Sequence, residues 1–156
     1  MGDARLTPEQ NGFRYGLLTA GAMILYTLIA VFAGFFDNLA AGGLNLIIIS
    51  AGISMAIANF KRSKDGRIAY FQGMSTGSIT AMVASIVLGL FFIMMSAIKP
   101  ELLDMTHARD LFGYDLSSLM IFLAIVLMGT LGGVIISLVA MQYFKSPDHK
   151  PISGIE

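Results

Sequence analysis

The side chains best suited to metal ligation are gathered in the segment 99–118, where four carboxylates surround one histidine. Asp104 and His107 are three residues apart, a spacing that could bring two ligands to one metal ion. The other three carboxylates are Glu101, Asp110 and Asp115. A single histidine among exposed carboxylates is more typical of solvated surface, so we predict no metal site and no other cofactor.

A second group of candidate binding side chains is the basic segment KRSKDGR, which carries Lys61, Arg62, Lys64 and Arg67. Each cation near a negatively charged leaflet contributes about 1 kcal/mol to the attraction of anionic lipid headgroups. Membrane topology alone would also explain these charges, because lysine and arginine accumulate in cytoplasmic loops. Lipid-headgroup recognition and topology both remain open for this segment.

Small residues recur every four positions in two apolar segments, a spacing that keeps them on one helical face. Helices in a bilayer associate through close packing, which small residues allow. Such a face has two interpretations: packing inside one bundle, or a surface reserved for a second subunit. The residues are Gly73, Gly77, Ala81, Ser85 and Gly89 in the third apolar segment, with Gly129, Gly133 and Ser137 in the fourth.

Hydroxyl groups are also frequent in the third apolar segment. We expect them to donate hydrogen bonds to carbonyls of their own helix. The alternative is a pocket for a neutral or lipid-like ligand between the second and third segments, which would also use Asn45 and Gln72. The hydroxyl residues are Ser75, Thr76, Ser78, Thr80, Ser85 and Ser96.

The elements that must position these residues are four long apolar stretches, at 13–36, 40–60, 69–98 and 119–144. Each has at least about 20 residues, enough for a helix to cross about 30 Å of hydrocarbon. Charged residues make up 13% of the chain, against about 25% in a soluble domain. The sequence therefore predicts an all-α, polytopic membrane protein, with four transmembrane helices in one up-down bundle over residues 13–144. The predicted outer loop covers 99–118, and the tails cover 1–12 and 145–156.

The distribution of positive charge predicts the orientation of this bundle. Only Lys99 and Arg109 lie in the outer loop, whereas the other eight of the 10 lysines and arginines lie on the opposite side. By the positive-inside rule, both termini and the loop between the second and third spans are cytoplasmic. An even number of spans also requires both termini to be on one side.

Several stretches carry a resemblance to a known family. They are FRYGLL, NFKRSKDGRIAYFQGMSTG, FFIMMSAIKPELLD and GVIISLVAMQYFK. Together they resemble a family of small four-helix membrane proteins of Bacteroidota, catalogued as a domain of unknown function. The resemblance implies a four-span fold in a bacterial inner membrane, and it implies no activity, substrate or catalytic residue.

The side chains present in the apolar spans favour some classes of function over others. A non-enzymatic scaffold or accessory subunit, associating with itself or with other membrane subunits through small-residue faces, agrees best with them. A small passive transporter, a channel or a lipid-binding protein is the alternative, although the four-helix multidrug exporters need a glutamate in helix 1 that is missing here. An enzyme is not expected, because the spans offer no nucleophile–base pair and the chain has no cysteine. The formal net charge of zero provides no field for nucleic acid, so membrane lipids and membrane subunits are the expected partners.

Overall fold

The computed structural model describes residues 6–34, 39–98 and 118–144. These residues form four α-helices: α1 (Pro8–Ala33), α2 (Leu39–Ser63), α3 (Tyr70–Ile98) and α4 (Ser118–Phe144). Each helix is long and apolar enough to cross a membrane. Across the described ranges, the prediction of an all-α protein with four candidate membrane spans is confirmed.

Helix α1 begins more than one turn before the predicted start at residue 13. The Thr7 hydroxyl accepts a hydrogen bond of 3.2 Å from the backbone N–H of Gln10, which satisfies one free donor of the first turn. Pro8 occupies the first helical position and Glu9 provides the acidic side chain favoured there. The helix ends at Ala33, because Gly34 adopts a left-handed conformation with φ of 74°.

The connection between α2 and α3 is a helix-ending turn. Asp65 and Gly66 both have positive φ, at 54° and 81°. The Gly66 N–H donates a 2.9 Å hydrogen bond to the carbonyl of Lys61, the long-range bond of a Schellman motif. This turn extends α2 to Ser63, beyond the predicted end at residue 60, and directs the chain back into α3.

Contacts near the helix ends define how the bundle is arranged. The start of α1 lies against the end of α2 through Asn11 and Ala56. The end of α2 meets the end of α4 through Lys61 and Phe144. The start of α3 meets the end of α4 through Gly73, so these four helix ends lie together. We call this end of the bundle the basic end, because the segment 61–67 with its four cations lies here.

Small side chains occupy several of the most buried positions, and many large apolar side chains point outward. Ala20 and Ala81 are fully buried, whereas Phe32 is 88% exposed and Met128 is 77% exposed. In a bilayer the acyl chains are as apolar as leucine, so burial of a large side chain brings little gain and close packing decides which face turns inward. The largest buried apolar side chains lie in the half nearer the basic end: Ile53, Ile57, Phe60 and Met141.

A buried asparagine joins α1 to α2 at the basic end. Asn11 is only 1% exposed, and its amide donates a 2.8 Å hydrogen bond to the carbonyl of Ala56. Its side-chain oxygen accepts a 2.9 Å hydrogen bond from the amide of Asn59. An unpaired amide in an apolar interior costs several kcal/mol at most, and about 1–3 kcal/mol in typical mutants. Separating the two helices would break both bonds, so the bonds hold the helices in register.

Replacing Asn11 by alanine should lower the free energy of unfolding by about 1–3 kcal/mol, because the Asn59 amide loses its acceptor and the Ala56 carbonyl its donor. The measurement is a denaturant titration in detergent micelles followed by circular dichroism. Gln10→Ala is the matched control, since Gln10 is an exposed neighbour. Equal stability of the two variants would contradict a structural role for the Asn11 amide.

Candidate functional site

The predicted small residues of α3 and α4 face one another within one chain. Four pairs follow each other at intervals of one turn along the two helices, so that α3 and α4 run in opposite directions. We call this contact the small-residue seam. Its pairs are Gly73 with Met141, Gly77 with Ser137, Ala81 with Gly133 and Ser85 with Gly129.

The seam is packed so closely that even a methyl group would not fit at several glycines. A Cβ atom at Gly77 would lie 3.0 Å from the Cγ2 atom of Ile53, and it would overlap the Ser137 hydroxyl. A Cβ atom at Gly89 would lie 2.7 Å from the ring of Phe122. Of the two interpretations of the small-residue faces, packing inside one bundle and a surface for a second subunit, this arrangement corresponds to the first. A helix of a second subunit could not reach this face while α4 occupies it.

Sequence reasoning missed two similar contacts that involve α1. A Cβ atom at Gly12 would lie 2.9 Å from both Ile79 and the carbonyl oxygen of Thr76, and one at Gly16 would lie 2.6 Å from Val83. The signal was present as Gly12, Gly16 and Ala20 at four-residue spacing. It was overlooked because residues 1–12 were assigned to a tail. Helix α3 is therefore closely packed on two sides.

Two of the predicted hydroxyl groups of α3 bond to their own helix. Thr76 donates a 2.9 Å hydrogen bond to the carbonyl of Gln72, and Thr80 donates one of 2.8 Å to the carbonyl of Thr76. Both bonds follow the expected pattern of return to the preceding turn. Gln72 itself is exposed near the basic end.

Three buried oxygens have no hydrogen-bond partner in the described part of the chain: Asn45 Oδ1, Ser78 Oγ and Thr130 Oγ1. Ile53 lies against Gly77, which places Ser78 at the level of Ile53 on α2. Asn45 is eight residues earlier on α2, a distance of about 12 Å along the helix axis. The oxygens of Asn45 and Ser78 are therefore too far apart to contact one small ligand between α2 and α3.

A groove of about 650 Å³ lies at the basic end between the last turns of α2 and α4. We call it the basic groove, because two of the four predicted headgroup-binding cations line it. It combines these cations with two aromatic rings and one carboxylate. Its lining residues are Ala58, Lys61, Arg62, Asp65, Gly66, Tyr143 and Phe144.

The four predicted headgroup cations differ in their surroundings. The Lys61 ammonium donates a 2.9 Å hydrogen bond to the carbonyl of Phe144, the last described residue of α4. The Lys64 ammonium lies 5.7 Å from the centre of the Phe60 ring, within the range of a cation–π contact. Arg62 and Arg67 are exposed. Only Lys61 and Arg62 line the basic groove.

The segment considered for metal ligation lies outside the described residues. Asp104 and His107 belong to residues 99–117 of the predicted outer loop 99–118, and its last residue, Ser118, begins α4. Within the described ranges, no group of three or more histidine, aspartate or glutamate side chains could hold a metal ion.

Comparison with known proteins gives one match. The family model described as "Protein of unknown function (DUF4199)" matches residues 14–111, from the first turns of α1 to beyond the end of α3. No curated protein and no solved structure matches the chain. The resemblance to an uncharacterised family is thereby confirmed, and the match carries no catalytic or binding residue.

The two neighbouring glycines of α4 provide a direct test of the small-residue seam. Gly133→Ala should lower the free energy of unfolding by about 1–3 kcal/mol, because its new methyl group would meet the Cβ of Ala81. Gly132→Ala is the matched control, because a Cβ there would have no atom within 4 Å. It should be neutral or stabilising by up to about 1 kcal/mol, through higher helix propensity. Denaturant titration in micelles measures both variants, and a Gly133→Ala protein as stable as the Gly132→Ala protein would contradict the seam.

Proposed function

The chain belongs to the DUF4199 family of proteins of unknown function, and on that premise we propose that it is a non-enzymatic membrane scaffold or accessory subunit. The observation that carries this proposal is the filled space on two sides of α3. Gly12 and Gly16 of α1 pack on one side, and Gly77 and Gly89 of α3 itself are covered by α2 and α4 on the other. A bundle packed in this way offers partners its outer faces rather than its interior.

The same packing argues against the alternative of a passive transporter. A path for an uncharged solute needs facing polar groups with open space between them, yet the contacts along α3 leave no room for an added methyl group at several positions. The Thr76 and Thr80 hydroxyls, which could have lined such a path, are bonded to carbonyls of α3. We propose the scaffold rather than the transporter on the basis of these contacts.

The outward face of α4 is the surface we assign to association. In the most apolar 18-residue window of α4, only 6% of the residues are buried, against 28–33% in the other three helices. Leu127, Leu131, Ile135 and Val139 recur every four residues on this face, and each is 60–67% exposed. We propose that a transmembrane helix of another subunit, or a second copy of this chain, packs here, with lipid covering the rest of the bundle.

We also propose that the protein resides in a bacterial inner membrane with both termini in the cytoplasm. The starts of α1 and α3 and the ends of α2 and α4 lie together at the basic end, so the chain enters and leaves the bundle on the same side. Arg14 and the four cations of segment 61–67 belong to this side. Cations collect on the cytoplasmic side of membrane proteins, which supports this orientation.

Purification from the native membrane in mild detergent, followed by native mass spectrometry, tests the scaffold proposal. The wild type should retain either heavier subunits at a fixed ratio or a second copy of itself. Leu131→Ala combined with Ile135→Ala should release that partner, because the outward face of α4 loses its packing volume. The matched control, Leu18→Ala with Leu25→Ala, removes equally exposed leucines from α1 and should keep the partner. A protein that is always monomeric, or that conducts solutes in sealed liposomes, would overturn the proposal.

Because the chain has no native cysteine, the orientation can be measured by introducing single cysteines and labelling them. Ser146→Cys in the predicted cytoplasmic tail should react with a membrane-impermeant maleimide only after the cells are permeabilised. Thr106→Cys in the predicted outer loop should react in intact cells. Labelling in the opposite order would reverse the proposed orientation.

A further inference from the structure

We propose that the basic groove binds the phosphate of an anionic lipid headgroup. This inference goes beyond the scaffold proposal, because it names a ligand and a site that do not depend on which protein partner is bound. It also narrows the four cations of the basic segment to two, Lys61 and Arg62, which line the groove.

The groove lies at the depth in the membrane where lipid headgroups are found. It lies where α2 and α4 end, at Ser63 and Phe144, and helices of this length place their last turns at the boundary between hydrocarbon and headgroups. Tyr143 is 86% exposed at this level, and its ring lies 5.4 Å from that of Phe144 in an edge-to-face contact. Aromatic rings with this amphipathic character favour the membrane interface.

The two cations of the groove are able to donate to a phosphate. The Lys61 ammonium has three N–H groups, and among the described residues it uses one of them, on the Phe144 carbonyl, which leaves two for a ligand. This bond also holds the ammonium at the edge of the groove. Arg62 is exposed, and its guanidinium can donate two parallel hydrogen bonds to phosphate oxygens.

Two features oppose an anion at this place, and the local charge outweighs them. The Asp65 carboxylate lines the groove, and the carbonyl ends of α2 and α4 carry partial negative charge. Lys61 neutralises part of the α4 terminus through its hydrogen bond. Residues 61–67 contain four cations and one carboxylate, so the field around the groove stays positive.

The groove suits a lipid better than a free phosphate ion. Ala58 and the Phe144 ring supply apolar walls beside the two cations. A lipid can place its glycerol and first acyl carbons against such walls while its phosphate meets Lys61 and Arg62. A free ion would leave this apolar surface uncovered.

The test compares two single arginine substitutions in the purified full-length protein. The protein in mild detergent is titrated with phosphatidylglycerol or with zwitterionic phosphatidylcholine, and native mass spectrometry measures the lipid-bound fraction. Arg62→Gln should weaken phosphatidylglycerol binding about fivefold, whereas Arg67→Gln, an equal loss of charge outside the groove, should leave it nearly unchanged. Arg62→Lys should recover part of the loss because it restores the charge. We choose Arg62 rather than Lys61 because Lys61 also caps α4.

Four results would overturn the proposal. Equal weakening by Arg62→Gln and Arg67→Gln would mean that diffuse charge, and not the groove, attracts the lipid. Equal binding of phosphatidylglycerol and phosphatidylcholine by the wild type would remove the anionic preference. Displacement of the lipid by millimolar inorganic phosphate would assign the site to the free ion. A fall in the thermal midpoint of Arg62→Gln that accounts for its lost binding, with no recovery in Arg62→Lys, would assign Arg62 a structural role.

Discussion

Close backbone approach at small residues of α3 is the constraint on which the rest of the bundle depends. Lipid tails are as apolar as leucine, so burying large side chains does not by itself hold helices together in a membrane. Dispersion contacts do, and they require short distances between backbones. Gly12 and Gly16 bring α1 onto α3, while Gly77 and Gly133 bring α4 onto it from another side. Many large apolar side chains are then left on the outer surface, where lipid or another helix can cover them.

Side-chain hydrogen bonds join different helices at the basic end of the bundle. At the basic end, Thr7 caps α1, Asn11 links α1 to α2, and Lys61 caps α4. The Asn11 contact satisfies a buried amide that would otherwise be costly. The Asn11 and Lys61 contacts connect residues that are distant in sequence, so this end fixes the relative height of α1, α2 and α4. The basic groove lies between α2 and α4, where the Lys61 contact joins the two helix ends.

The bundle has a closely packed interior and a charged end, and this division limits which surfaces can meet a partner or a ligand. Along α3, the small-residue seam and the contacts with α1 are closely packed. The two surfaces to which we assign a role are the apolar outer face of α4 and the basic groove, of which one suits a helix and the other an anionic headgroup. A subunit that packs against a partner in the membrane while holding a lipid at the interface would use both.

The sequence by itself determined the four apolar helices of the described ranges, because hydropathy and length are local properties of each segment. It also pointed to the small residues of the seam, although not to Met141, since four-residue spacing is independent of the partner helix. Local signals for the start of α1, Thr7 and Pro8, were present but were outweighed by the polar character of residues 1–12. Only the tertiary structure decided that the seam closes within one chain, that Asn11 reaches Ala56, and that Lys61 reaches Phe144. These contacts join residues up to 83 positions apart in the sequence. They depend on the rotation and relative height of the helices, which no single segment specifies.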